Sequence, residues 1–177
     1  MSKRGITRTD KFPNFMAGKV QQTSADTATT AAFSTPIPRL QTKGGKATVM
    51  ELLWIEAHVD TTLNAPAEFV RVHWYGGATS TTTADLLPNN PRVITMFEKE
   101  MQMLTSGGSI LESPTKSNLT SKDGYGYLFA GDIINVLVVS GSTGIANAVY
   151  FRIYYRFVDI PITEFVGLVQ SQQQGTS

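Results

Sequence analysis

Two histidines and a scatter of carboxylates are the side chains with the most catalytic or metal-binding capacity, and the chain has no cysteine. His58 and His73 fall on predicted strands joined by one hairpin, close to Glu56, Asp60 and Glu68. Imidazole nitrogens and carboxylate oxygens can together hold a divalent cation. No third histidine and no HExxH or HxxE spacing is present, so polar residues on the solvent side of a strand pair are the stronger reading. Asp123, Asp132 and Asp159 sit at predicted strand ends or turns. Oxygen ligands from turns suit a bridging calcium, but aspartate also bonds its own backbone in turns, and that reading prevails. "GGKAT" (44–48) lacks the full phosphate-loop spacing, and no helix follows it. There is no G-x-S-x-G elbow. "NLT" (118–120) is a glycosylation sequon, expected to go unused because "MSKRGITRTDKF" does not read as the apolar core of a signal peptide. The expectation is no catalytic site, no metal and no cofactor.

A second kind of chemistry is recognition. Tyr150, Arg152, Tyr154 and Arg156 alternate along one face of a predicted strand. Such a row can stack bases and meet phosphates. It can equally form a subunit interface, where Tyr and Arg are enriched, and the interface is favoured. Phe165, Val166, Leu168 and Val169 lie just before a polar tail. Chain ends fray unless something holds them. This segment is therefore expected to be buried, partly by neighbouring copies.

The elements that must position these residues are mostly strands. Residues 23–38 read as an edge strand followed by proline punctuation. "ATVMELLWIEAHVDTT" (47–62) alternates, with Val49, Leu53, Ile55, Ala57 and Val59 on one face. "FVRVHWY" (69–75) alternates again. Asn90 and Pro91 carry helix-start chemistry, and Ile94, Phe97, Met101 and Leu104 recur at helical spacing, which predicts one helix near 91–104. Short strands are expected over 109–113, 124–130 and 132–139, then a long one over 147–158. Pro161 should end that strand, and Thr163 should cap a short helical turn. Many short strands separated by Gly, Ser and Thr turns argue for a sandwich or barrel.

Composition fits. The chain has 177 residues, 41% apolar and 16% charged, with a net charge of +1. That length favours one domain with a real core. Residues 1–46 hold eight basic residues against Asp10 and Asp26, a net +6, and the remainder holds seven basic and twelve acidic residues, a net −5. The reading is a basic arm over 1–22, a β domain over 23–172 and a polar tail over 173–177. On charge alone such an arm reads first as a solvated tail whose lysines aid solubility; the other reading is an element that holds a polyanion without sequence preference, through Lys3, Arg4, Arg8, Lys11 and Lys19. No apolar run reaches the roughly 20 residues of a membrane span.

"KATVMELLWIEAHVD", "DGYGYLFAGDIINVLVV" and "VYFRIYYRFVDIPITEFVGLVQSQ" together resemble the capsid proteins of small eukaryotic circular single-stranded DNA viruses. Tyr155-Arg156-Phe157 followed by Glu164 to Gln172 is the most specific part, and the likeness is tightest over 124–172. The resemblance implies an all-β single jelly roll, an eight-stranded antiparallel sandwich here with one inserted helix. It implies a non-enzymatic subunit of an icosahedral shell of about 60 copies around nucleic acid. The virion would be its location, after synthesis in the host cytoplasm and assembly there or in the nucleus. The rival is a nonviral jelly-roll binding module, either sugar-binding or a TNF-like trimer.

Overall fold

Alternating apolar residues make strands, and two sheets that each bury one face must pack together. The computed structural model describes residues 7–8, 10, 12–36, 44–60, 67–83, 86–102 and 115–173. These form β1 (Thr7–Arg8), β2 (Asn14–Gln21), β3 (Ala28–Ser34), β4 (Lys46–Asp60), β5 (Ala67–Gly76), β6 (Val93–Gln102), β7 (Thr115–Asn118), β8 (Tyr127–Phe129), β9 (Ile133–Gly141), β10 (Ala148–Pro161) and α1 (Ile162–Gln173). The first sheet places β10 between β4 and an edge made by β1 and β2, and β4 carries β7 and β8 on its other side. The second sheet runs β3-β9-β5-β6. Every pairing is antiparallel. With β7 and β8 counted as one interrupted strand and β1 as an extension of β2, eight strands cross between sheets in the interlocked Greek-key order of a jelly roll.

The core lies between the sheets. Met50, Leu52 and Ile55 from β4, Ile153 from β10, and Val72 and Trp74 from β5 are at most 1% exposed. Each such side chain stabilises the fold by about 1.5–3 kcal/mol. β2 crosses this core at Gly18, where a Cβ would stand 2.4 Å from the Phe151 ring and 2.6 Å from Phe33. Those two rings meet edge-on, with centroids 4.9 Å apart. One end of the sandwich is closed by polar groups. Gln22 Oε1 accepts from Ser140 Oγ, the Asn147 N–H and Asn147 Nδ2, each at 3.0 Å. Asp26 accepts from the Thr143 N–H at 2.8 Å, which ties the β2–β3 turn to the β9–β10 turn.

Several expectations from sequence are corrected. The helix expected near 91–104 is strand β6 over Val93–Gln102, paired with β5. The register shifts between Trp74 and Tyr75, which leaves Ile94 as an extra residue. Ile94 and Phe97 therefore both join the core although three positions apart, which imitates a helical period. Asn90 does cap, but it caps a turn, by accepting the Arg92 N–H at 3.0 Å. A second bulge in β4, opposite Tyr154/Tyr155, inserts Leu53. It flips the alternation, so Met50 and Leu52 share the core with Ile55, Ala57 and Val59, while Val49 joins a different cluster.

β4 and β5 form no hairpin, because they lie in opposite sheets. The expected arm over 1–22 is partly sheet. β1 and β2 line up end to end along β10, and Asp10 bridges the gap by accepting the Phe157 N–H at 2.9 Å. The long strand runs to Pro161 rather than 158. α1 has 12 residues, with Thr163 inside its first turn. The strand expected over 109–113 and the residues of the tail beyond 173 lie outside the described residues.

Candidate interaction surfaces

The outer face of the first sheet is divided in two by the bulge at Leu53. On one side β4 presents Val49, and β10 presents Val158 and Ile160, all fully buried. α1 folds back over them, with Phe165 and Leu168 packing against this cluster beside Leu128 and Ala130. The end of α1 is fixed by Gln172, whose side chain donates to the Leu128 carbonyl at 2.8 Å and accepts from the Ala130 N–H at 3.2 Å. At the border, the buried Glu51 carboxylate pairs with Arg156 and accepts the Gly126 N–H at 2.7 Å. Arg156 also donates to the Gly124 carbonyl at 3.2 Å. Gly126 has to be glycine, since a Cβ there would stand 2.2 Å from the Leu52 carbonyl oxygen.

On the other side of the bulge the face is open. Register sets Phe15 of β2, Tyr154 of β10 and Trp54 of β4 in one row across three strands. Trp54 and Tyr154 stack at 4.4 Å with planes 18° apart, and Phe15 lies 5.9 Å beyond Tyr154. Cations lie against these rings and their neighbour Tyr150. Lys116 of β7 places Nζ 4.6 Å from the Trp54 ring, and Arg152 sits 5.7 Å from the Phe15 ring. Lys19 of β2 lies 5.1 Å over Tyr150. Glu56 accepts from Trp54 Nε1 and from the Tyr154 hydroxyl, each at 3.2 Å.

The predicted recognition residues thus separate. Tyr150 and Arg152 are exposed on the open half, Tyr154 is half-buried in the row, and Arg156 is turned inward to Glu51. Phe165 and Leu168 face their own sheet, Val169 borders a cleft with Ile133, and Val166 is 49% exposed. Lys3, Arg4 and Lys11 lie outside the described residues, and Arg8 is placed by its backbone in β1. Sequence alone assigns Phe15, Trp54 and Lys116 no place in a recognition surface. Trp54 at an even position among Glu56 and His58 was the available signal.

The histidines do not meet. His58 is exposed on the outer face of the first sheet, opposite Tyr150, whereas His73 is buried in the second. His73 donates from Nδ1 to the Leu86 carbonyl at 3.1 Å, and its Nε2 is buried without a partner. Burial holds its pKa below the ordinary histidine value, against the pull of that carbonyl. Leu86 packs with Tyr75 and Leu137 of the second sheet. Asp159 accepts from Thr48 Oγ1 at 2.8 Å. Among the described residues no three His, Asp or Glu side chains group as a metal would require.

The sequence matches no family model and no curated protein. Solved structures do match in shape. VP1 of Trichodysplasia spinulosa-associated polyomavirus, in complex with 3'-sialyllactose, superposes with a TM-score of 0.53 at 10% identity, covering 88% of this chain and 99% of that one. Merkel cell polyomavirus VP1 in complex with GD1a oligosaccharide gives 0.54 at 9% identity, covering 90% and 100%. The unassembled pentamer of Merkel cell polyomavirus VP1 gives 0.50 at 8%, covering 87% and 98%. At such identities the likeness is one of fold, and the chain is a single jelly roll similar in architecture to polyomavirus VP1.

Proposed function

We propose that this chain is a viral capsid subunit, a structural protein that self-assembles into a closed icosahedral shell of about 60 copies around nucleic acid. The observation that carries the reading is the fold match to VP1 capsid proteins along nearly the whole of both chains. The sequence resemblance to the capsid proteins of circular single-stranded DNA viruses supports the finer reading of the genome as circular single-stranded DNA, and of the virion as the protein's location.

The outward side of α1 supports a subunit contact. Ile162 and Val166 are 39% and 49% exposed, and Ile133, which shares a cleft with Val169, is 44% exposed. Between α1 and the 129–133 segment lies a cleft of ≈ 230 Å³, bordered by Val169, Phe129 and Ile133. Gly167 has nothing within 4 Å of where its Cβ would be. Glycine inside a helix costs about 0.5–1 kcal/mol, and here it leaves room for another backbone to approach. The apolar C-terminal segment is therefore split between its own sheet, through Phe165 and Leu168, and a neighbouring copy, through Val166 and Val169.

Negative-stain microscopy of the purified chain, with light scattering over a range of salt and pH, tests this. Closed particles of uniform diameter are expected. A stable 19.3 kDa monomer would refute it. A discrete trimer would instead favour the binding-module reading.

A further inference from the structure

We propose that the open half of the first sheet's outer face is a stacking platform for single-stranded nucleic acid. Trp54, Tyr154 and Phe15 form the platform, and Lys116, Arg152 and Lys19 meet the phosphates. The proposal deepens the capsid reading, which leaves open the face that meets the packaged strand.

The first argument is the way the row of rings ends. Inside the row the faces of Trp54 and Tyr154 are already spent on each other, at 4.4 Å. Each end ring, by contrast, lies against a cation on a long flexible stem, Trp54 against Lys116 of the next strand and Phe15 against Arg152 of β10. Lys116 and Arg152 are both exposed. A base approaching Trp54 or Phe15 can displace the cation from the ring. The displaced ammonium or guanidinium then lies beside the phosphate that arrives with the base. Bases stack on aromatic faces regardless of sequence, and nearby cations track the backbone. The site exchanges one cation–π contact for a stack plus an ion pair.

The second argument is charge. Lys19, Arg152 and Lys116 stand on this face against Glu56 and, at the far end of β4, Asp60. Register places Glu56 directly between Arg152 and Lys116, where its two oxygens accept from Trp54 Nε1 and the Tyr154 hydroxyl while the two cations lie against rings. The carboxylate thus holds the rings in place, and the cations are left over rings. Next to Arg152 a groove of ≈ 380 Å³ opens between Tyr150, His58 and Glu56, with Ala17 at its floor. It offers space beside the cations for a sugar or a base. A second copy seated face to face would set cation against cation, whereas a polyanion complements them. Trp54, Tyr154, Phe15 and Arg152 stand on long strands of the sandwich, so the platform is preformed.

Intrinsic fluorescence of the full chain, dissociated into subunits and titrated with a 12-nucleotide oligothymidylate, provides the test. The protein has two tryptophans, and Trp74 is fully buried, so a base stacking on the surface reports through Trp54. Saturable quenching is expected. Trp54→Ala should abolish the quenching and weaken binding of a labelled oligonucleotide by about tenfold or more. Trp54→Phe should keep most of the affinity without the signal. Arg152→Gln combined with Lys116→Gln should lower the slope of log affinity against log salt by about 1.4. Circular dichroism checks that each variant is folded.

Binding of the labelled strand without any quenching would place the contact elsewhere and overturn the proposal. So would Trp54→Ala protein that binds normally but no longer forms particles, because the face would then be a subunit interface. Microscopy of the same wild-type preparation keeps the two readings apart. Particles without quenching sink the platform alone, and quenching without particles sinks the shell alone.

Discussion

Replacing Arg156 by leucine tests whether this side chain holds its own chain together or, in the assembly proposed above, bridges two copies. Its partner Glu51 is fully buried, and the Arg156 side chain is 17% exposed. Arg156→Leu leaves Glu51 with the Gly126 N–H as its remaining donor at 2.7 Å and removes the bond to the Gly124 carbonyl. Breaking a buried pair by deleting one partner costs about 3–5 kcal/mol. The surviving N–H and the partial exposure put this pair near the lower end, at about 3 kcal/mol. Urea unfolding of dissociated subunits, followed by circular dichroism, reads the loss. With a slope of about 2 kcal/mol/M, the midpoint should fall by about 1.5 M. Arg152→Leu, four positions earlier on the same strand face and exposed, is the control and should shift stability by less than about 0.5 kcal/mol. Adding Glu51→Gln to Arg156→Leu should recover part of the loss, since the uncompensated charge is gone. Equal effects of Arg156→Leu and Arg152→Leu, or no effect of either, would refute the assignment of Arg156 to the subunit interior.

Further outcomes are expected at His73, on the outward side of α1 and at the N-terminus. His73 is held neutral by burial, so the unfolded chain binds a proton more readily than the folded one as the pH drops below about 6.5. Subunit stability should accordingly be full above that pH and fall below it, and thermal melts of His73→Gln across the same range should show a shallower decline. Gly167→Ala should stabilise the dissociated subunit by about 0.5–1 kcal/mol yet reduce particle yield, and Val166→Asp should abolish particles while leaving the subunit's melting temperature nearly unchanged. Removal of residues 2–6, which precede β1, should lower the packaged nucleic acid and leave a folded subunit. Removal of 2–20 should destabilise the subunit, because it takes β1 and most of the strand that covers Phe151.

The sandwich was legible because Val, Ile and aromatic residues alternate over long stretches such as 148–157. What misled was local and physical. The bulge at Ile94 places two core residues three apart, and three is also a helical interval. The bulge at Leu53 reverses inside and outside halfway along β4, so a single alternation pattern could not describe both halves. β2 reads as arm in the sequence because "NFMAGKVQ" is an edge strand with one fully buried residue, Val20, and a glycine where bulk would be expected. Gly18 is small because two phenylalanine rings lie beneath it, which is a fact about Phe33 and Phe151 rather than about its sequence neighbours. The Tyr/Arg row on β10 was visible as a row. Its division into an inward Arg156 and an outward Arg152 was not, since that depends on a buried glutamate from another strand. The platform rings come from three strands far apart in sequence, and only register brings them into line.

The contact made by Gln172 has a consequence for how the protein survives as a free chain. β8 pairs with β4 along one edge, and its other edge is met by the Gln172 carboxamide, which presents one acceptor and one donor as a peptide group would. A side chain thus occupies a place where a stranger's backbone could add. Truncation upstream of Gln172, by a protease or by a cloning choice, would uncap that edge and invite indiscriminate strand addition. The last turn of α1 is in this sense a built-in chaperone for the sheet beneath it, and soluble expression should depend on it even where the fold does not.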